Sequence, residues 1–241
     1  MKKYCSILGV HISVLDITQL TDYVVNNLNI IKGKYICVSN VHTTVMSFEN
    51  KNYLSVQNNA LFVLPDGGPL ASEGRRRGYK DMTRIVGQDY MREIFKKGYR
   101  HYFYGSTEDT LKKMIDNIKK EYPTIDVVGS YSPPFRELTK DEDTKIIDMI
   151  NDTKPDFVWV GLGAPKQEIW MYNHQNKING LMVGVGAAFD YFAGNIKRAP
   201  KWMQNCNLEW FYRLLQDPKR LFKRYLTTNI KFIINATIKG K

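Results

Sequence analysis

Six short apolar runs constrain this chain more than any other feature. They are "YICVSNV" (35–41), "LFVLP" (61–65), "HYFYGS" (101–106), "IDVVGSYS" (125–132), "DFVWVGLG" (156–163) and "GLMVGVG" (180–186). None alternates apolar with polar residues, so each reads as a strand buried on both faces. Helix-like stretches lie between them. In "TEDTLKKMIDNIKKEY", Leu111, Met114, Ile115 and Ile118 share one face at helical spacing. Further helices are predicted from about Thr43, near 68–77, in "TKDEDTKIIDMIND" and in "PKQEIWMYNHQ". Strands of this kind joined by helices predict an α/β protein built on a parallel sheet. The N-terminal "MKKYCSILGVHISVLDIT" reads as two short strands rather than a leader. His11, Ser13 and Asp16 break its apolar part, and no small-x-small cleavage site follows.

Open parallel sheets bind ligands outside the carboxyl ends of their strands. The residues following these runs are Asn40 and His42; Asp66, Gly67 and Gly68; Gly105 and Ser106; Gly129, Ser130 and Tyr131; Gly161, Gly163, Lys166, Gln167 and Glu168; Gly186 and Asp190. Glycines and polar groups therefore gather at one edge, where the site is expected. Asp66 stands out because it ends an apolar run directly before two glycines. The residues alone leave two roles open for it, a general base or the acceptor of an Asx-type turn.

The dinucleotide fingerprint G-x-G-x-x-G fails twice, with Lys166 and Phe189 at the third glycine positions, and no P-loop is present. What remains are glycine turns feeding helix N-termini in "YGSTEDT" and "GLGAPKQE", which suit a phosphate or simply make tight turns. Asp141-Glu142-Asp143 has the form of a metal-binding D-x-D motif. It follows Thr139, where acids favour the first turn of a helix, and it ends no strand. The four histidines, at 11, 42, 101 and 174, have no metal spacing, and His42 reads as a satisfied structural residue. Three cysteines without C-x-x-C spacing fit a reducing compartment.

Charge divides the chain. Of a net +11, residues 197–241 carry +9, with eleven Lys/Arg against Glu209 and Asp217. In this tail Phe222, Tyr225, Leu226, Ile230 and Ile233 recur at spacings of three and four. Lys219, Arg220, Lys223, Arg224 and Lys231 lie largely off that stripe. A basic amphipathic helix with aromatic anchors suits an anionic membrane surface; packing on the protein body is the alternative. No run reaches the roughly 18 apolar residues of a spanning helix. The expected division is an α/β domain over 1–195 and a basic helical appendage over 196–241.

"LPDGGPL", "TRIVGQDYM", "GLGAPKQEIW", "GVGAAFDYFAG" and "RAPKWMQNCNLEWFYRLLQDPKRLFKRYL", in this order from about Leu8 to Leu226, resemble the WecG/TagA/CpsF family, glycosyltransferase family 26. The resemblance implies a Rossmann-like fold with a C-terminal appendage. It implies an inverting, metal-independent transferase acting at the inner face of the cytoplasmic membrane. The sugar would pass from a UDP donor, with N-acetylmannosamine or a related hexose or uronic acid as first choice. The acceptor would be a polyprenyl-diphosphate-linked sugar of cell-surface polysaccharide or teichoic acid synthesis. The family's catalytic aspartate falls on Asp66, with Asn40, Arg84 and Gln167 matching its further motif residues. No cofactor is expected beyond the donor substrate.

The remaining strand-end residues, Gly105, Ser106, Tyr131, Gly161, Gly163, Lys166, Glu168, Gly186 and Asp190, are then candidates for holding the donor. Arg213, Lys219, Arg220, Lys223 and Arg224 are candidates for the acceptor diphosphate or the membrane. Val38 departs from members that carry threonine there, which leaves Ser39 or Thr43 to supply a hydroxyl. Two rival readings are a nucleic-acid-binding protein using the basic tail and an NAD-dependent enzyme modifying nucleotide sugars. Nucleic acid is not expected as a partner, and a homo-oligomer is compatible with the sequence.

Overall fold

A computed structural model describes residues 3–206 and 208–240. The chain opens with an antiparallel hairpin of β1 (Tyr4–Ile7) and β2 (Val10–Ser13). Its two turn residues, Leu8 and Gly9, both have positive φ, at 52° and 85°. That is the primed turn whose twist matches paired strands. The chain continues through α1 (Ile17–Ile31), β3 (Tyr35–Ser39), α2 (Val41–Glu49), α3 (Lys51–Asn58), β4 (Phe62–Pro65), α4 (Gly68–Arg76) and α5 (Gly87–Phe95). Next come β5 (Arg100–Gly105), α6 (Glu108–Glu121), β6 (Asp126–Tyr131), α7 (Lys140–Asp152), β7 (Phe157–Gly161), α8 (Lys166–Asn173), β8 (Leu181–Gly184) and α9 (Ala188–Ala193). It ends in α10 (Lys201–Asn205), α11 (Glu209–Gln216), α12 (Pro218–Phe232) and a π-helical stretch, Ile233–Ile238.

All six apolar runs form strands of one sheet, in the order β4-β3-β8-β7-β5-β6. The pairings β3–β8, β8–β7, β7–β5 and β5–β6 are parallel. Every residue of β3, β4 and β8 is buried, as continuous apolar runs require. Only β6 departs. It lies at the sheet edge and is mostly half-exposed, so its apolar residues do not mark a doubly covered strand.

The chain forms two compact units. One contains residues 1–20, 38–86 and 196–241, so the C-terminal helices group with the hairpin, β4 and α2–α4. Its core includes Ile7, Val10, Ile12, Leu64, Leu70, Met82, Leu221 and Ala236. The other contains residues 21–37 and 87–195. Its core is aromatic: Phe157 stacks on Trp159 with centroids 5.4 Å apart, and Phe95 meets both Phe103 and Trp159 edge-on. His101 is fully buried there and accepts a hydrogen bond from the Trp159 indole at 3.2 Å.

Candidate active site

Backbone bonds bring three of the family-matched residues together in the first unit. Asp66 follows β4, and its amide donates to Ser39 O at 2.7 Å. The acid therefore sits beside the end of β3, where Asn40 begins α2. On its other flank, the Ile85 amide donates to Pro65 O at 3.0 Å, which draws the Arg84 loop to the residue preceding Asp66. Gly67 makes the turn into α4 possible. Its φ of 98° and ψ of 147° suit glycine alone, and no side chain caps that helix start. Asp66 is half-buried at this corner.

Asn40 has a defined structural task. Its Oδ1 accepts from the amides of His42 and Thr43 at 3.0 and 3.2 Å, and Thr43 Oγ1 returns a bond to the Asn40 amide. This is a reciprocal capping box. Ser39 and Thr43, the two hydroxyls considered in place of a threonine at Val38, are both buried. Ser39 donates to Gln57 at 2.8 Å, and Thr43 donates to Ser39 at 3.2 Å and to the Asn40 carbonyl at 3.0 Å. They brace the capping residue rather than face outward.

Arg84 pairs with Glu209 of α11, and Arg198 approaches the other carboxylate oxygen at 3.8 Å. Arg84 Nε is buried without a hydrogen-bond acceptor among the described residues. His42 also differs from its sequence reading. Its Nδ1 is buried and has no hydrogen-bond partner among the described residues, so it is not a satisfied structural histidine. Burial, helped by the Arg224 cation, lowers its pKa to about 4 and keeps the ring neutral.

In the second unit, α8 delivers Gln167 to the end of β8. The Gln167 side chain packs where Cβ atoms at Gly184 and Gly186 would stand, 3.2 and 3.5 Å away, so two of the glycine motifs meet. Its Nε2 donates to Glu168 at 2.8 Å, and its Oε1 is buried without a partner among the described residues. Glu168 is fully buried and, after burial itself, is the cause that pushes the Cys37 thiol up. The Glu168 side chain lies in the interior.

The glycine turns also divide. Gly105 is required by packing, since a Cβ would lie 2.6 Å from the Gly161 carbonyl carbon. At Gly161 it would lie 2.5 Å from the Phe189 ring. The Ser106 amide, expected to be open to a phosphate, is taken by Gly161 O at 3.1 Å. Thr107 caps α6, and Glu108 and Asp109 already answer its dipole. The start of α8 has no side-chain cap, and Gly163 faces open space with φ 76°. Lys166 is exposed in that first turn. Tyr131 lines a cavity of about 160 Å³ with Pro134, Leu138, Glu142, Lys145, Ile146 and Met149, whereas Phe135 is exposed. Gly186 ends beside Gln167, and Asp190 accepts from Asn195 at 3.2 Å.

The acidic triplet is engaged locally. Glu142 closes a capping box with Thr139 and binds Arg136, while Asp143 holds the buried His174 at 3.0 Å. No group of three or more His, Cys, Asp or Glu residues that could hold a metal occurs among the described residues.

In the tail, α12 buries Leu221, Thr228 and Phe232. The stripe read from the sequence lies outside: Phe222, Leu226, Ile230 and Ile233 are 60, 52, 49 and 51% exposed. Trp202, Trp210, Phe211 and Leu215 are exposed on the preceding helices. Lys219 and Lys223 are exposed, Arg220 pairs with Asp217 at 2.5 Å, and Arg213 is half-buried. Arg224 turns inward, with Nε buried, and lies over the Tyr225 ring at 5.2 Å. Lys231 pairs with Glu49. No local sequence pattern marks Arg76 and Arg77. Both bind the buried Glu73 and donate to the carbonyls of Thr237 and Ala236, fastening the π-helical end to α4. No helix of the described residues is long and apolar enough to cross a membrane.

A six-stranded sheet with parallel pairings, flanked by helices, defines an α/β protein. A profile of the glycosyl transferase WecG/TagA/CpsF family matches residues 5–241, and the chain belongs to that family. Among its relatives is the N-acetylglucosaminyldiphosphoundecaprenol N-acetyl-beta-D-mannosaminyltransferase of Bacillus subtilis (strain 168). It is 34% identical over 81% of this chain and 76% of its own length. Proteins of the same name from Bacillus spizizenii and Staphylococcus aureus (strain MW2) are 33% and 30% identical over 78% of this chain and 74% of theirs. The family reached from the motifs is the family found.

Proposed function

We propose that this chain transfers a hexosyl group, with N-acetylmannosaminyl as first choice, from a UDP donor to a sugar carried on polyprenyl diphosphate. The observation that carries this reading is the name shared by the relatives, which states both the sugar added and the lipid-diphosphate acceptor. A β-linked product from an α-linked nucleotide donor requires inversion at the anomeric carbon, hence one base on the acceptor side. Asp66 takes the acceptor hydroxyl proton while the new C–O bond forms and the old bond's electron pair leaves with UDP. Asn40 holds the start of α2 beside that acid. Arg84 answers the charge that grows on the departing diphosphate. Gln167 offers Oε1, a buried acceptor without a partner among the described residues, to a sugar hydroxyl. The reaction needs no metal.

The exposed stripe of α12, flanked by Lys219 and Lys223, rests on the inner face of the cytoplasmic membrane, where a polyprenyl acceptor is confined. Its outward orientation favours docking over packing on the body. The experiment is UDP release from a panel of UDP-sugars with a short-chain polyprenyl-diphosphate N-acetylglucosamine, with and without EDTA. Acceptor-dependent release with UDP-N-acetylmannosamine, unchanged by EDTA, is expected. Absence of acceptor-dependent release with every UDP-sugar overturns the reading.

A further inference from the structure

Phe135 is held out in solvent by its neighbours in the chain. At 85% exposure it is the most exposed large apolar residue among those described. On one side Pro134 belongs to the wall of the cavity of about 160 Å³ that Tyr131, Leu138, Ile146 and Met149 also line. On the other, Arg136 is tied to Glu142 of α7 by two hydrogen bonds, at 2.8 and 2.6 Å. Glu142 is fixed in turn by its capping box with Thr139. With both flanks anchored, the ring stands beside its own cavity without entering it. A side chain presented on an anchored loop loses little freedom when it binds.

The cavity suits such a ring. Glu142, Lys145, Ile146 and Met149 stand at positions i, i+3, i+4 and i+7 of α7, so one face of that helix forms one wall. A cavity of about 150 Å³ with apolar walls accepts a benzene ring. Methionine sulfur, supplied here by the partly exposed Met149, makes favourable contacts with aromatic rings. The surrounding charges are self-complementary. Arg136 and Glu142 satisfy each other, whereas Glu137 and Lys145 are exposed with no ion pair among the described residues.

We propose that this face is a self-association surface, in which the Phe135 ring of one copy enters the Tyr131–Met149 cavity of a second copy of this chain. Ring and cavity adjoin, so a two-fold axis exchanges both rings at once and closes the assembly as a dimer. The same operation brings Glu137 of each copy towards Lys145 of the other. Two phenyl rings cover roughly 300–500 Å², short of the roughly 1,200 Å² of a stable interface. The dimer is therefore reversible and concentration-dependent.

The test is sedimentation velocity of the full chain over a concentration series, for the wild type, Phe135→Ser, Met149→Glu and a mixture of the two variants. Both positions are exposed, and unchanged melting confirms that the variants fold. Phe135→Ser should raise the dissociation constant at least about a hundredfold, because the change acts twice in a two-fold dimer. Met149→Glu, which sets a carboxylate in the cavity wall, should act alike. Their mixture keeps one ring and one intact cavity, so it should associate more tightly than either variant alone. Glu137→Lys should weaken the dimer, and adding Lys145→Glu should restore it. The exposed stripe of α12 is a rival source of association, so the series is repeated with Phe222, Leu226, Ile230 and Ile233 replaced by serine; the Phe135 effect should persist. A chain that stays monomeric up to roughly 0.5 mM overturns the inference. So does a dimer indifferent to Phe135→Ser, a mixture no tighter than its components, or association that vanishes with the stripe alone.

Discussion

The amide of Asp66 donates to the carbonyl of Ser39 at 2.7 Å, joining the end of β4 to the end of β3. One backbone bond thereby seats the proposed base beside the capping Asn40. The adjoining bond from Ile85 to Pro65 adds Arg84 to the same corner. The bonds that bring Asp66 and the Arg84 loop here are main-chain bonds, whereas Asn40 holds the start of α2 through its side chain.

The outward stripe of α12 makes the proposed membrane docking separable from folding. Replacing Phe222, Leu226, Ile230 and Ile233 together by serine removes exposed apolar surface and leaves the buried Leu221 and Phe232 in place. Each fully buried side chain of this kind is worth roughly 1.5–3 kcal/mol on transfer out of water. The variant should melt like the wild type yet lose at least about tenfold in partition to anionic vesicles. Unchanged sedimentation with vesicles would mean that the stripe serves another purpose.

Arg77 is expected to matter for stability far more than a surface arginine. It donates to Glu73 at 2.7 Å, to Ser6 O at 2.6 Å and to Ala236 O at 2.8 Å. Arg77→Met leaves Glu73, which is 4% exposed, with one cation fewer. Breaking a buried ion pair on one side costs on the order of 3 kcal/mol. Urea unfolding should show that loss, and Glu73→Gln in the same chain should return part of it. A loss under about 0.5 kcal/mol, the range of ordinary surface changes, would show that the clamp is not needed.

His101 predicts a defined loss of stability in weak acid. Burial lowers its pKa from 6.5 to about 4, against a smaller opposing pull from Asp156. Below about pH 6.5 the unfolded chain takes up a proton that the folded protein refuses until about pH 4. Stability is therefore full above 6.5 and falls as pH drops across that window, by on the order of 3 kcal/mol. His101→Phe should flatten the melting temperature between pH 7 and 5 relative to the wild type. An equally steep decline in the variant would place the titration elsewhere.

Much of this fold was legible because doubly buried strands leave apolar runs without alternation, as in Phe157–Gly161 and Leu181–Gly184, although the run at β6 has the same form on a half-exposed edge strand. The Asp66 corner was legible for a related reason, since an acid and two glycines have no place inside such a strand. Long-range partners left no local trace. Arg84 and Glu209 lie 125 positions apart, and nothing near either residue announces the pair. Periodicity located an apolar stripe on α12 but not which side the protein covers. Leu221, Thr228 and Phe232 form the inner face, and the more hydrophobic stripe is left outside. Glycine spacing likewise could not separate packing from ligand approach. Gly161 answers to the Phe189 ring, whereas Gly163 faces open space.

The most direct measurement is the rate of acceptor-dependent UDP release by Asp66→Asn, taken beside the affinity of the same variant for UDP. The substitution keeps the shape of the side chain and removes its capacity to accept a proton. A rate lower by about 10²–10⁴-fold is predicted, with UDP bound as tightly as by the wild type. A variant that retains more than about a tenth of the wild-type rate would contradict the assignment of Asp66 as the base.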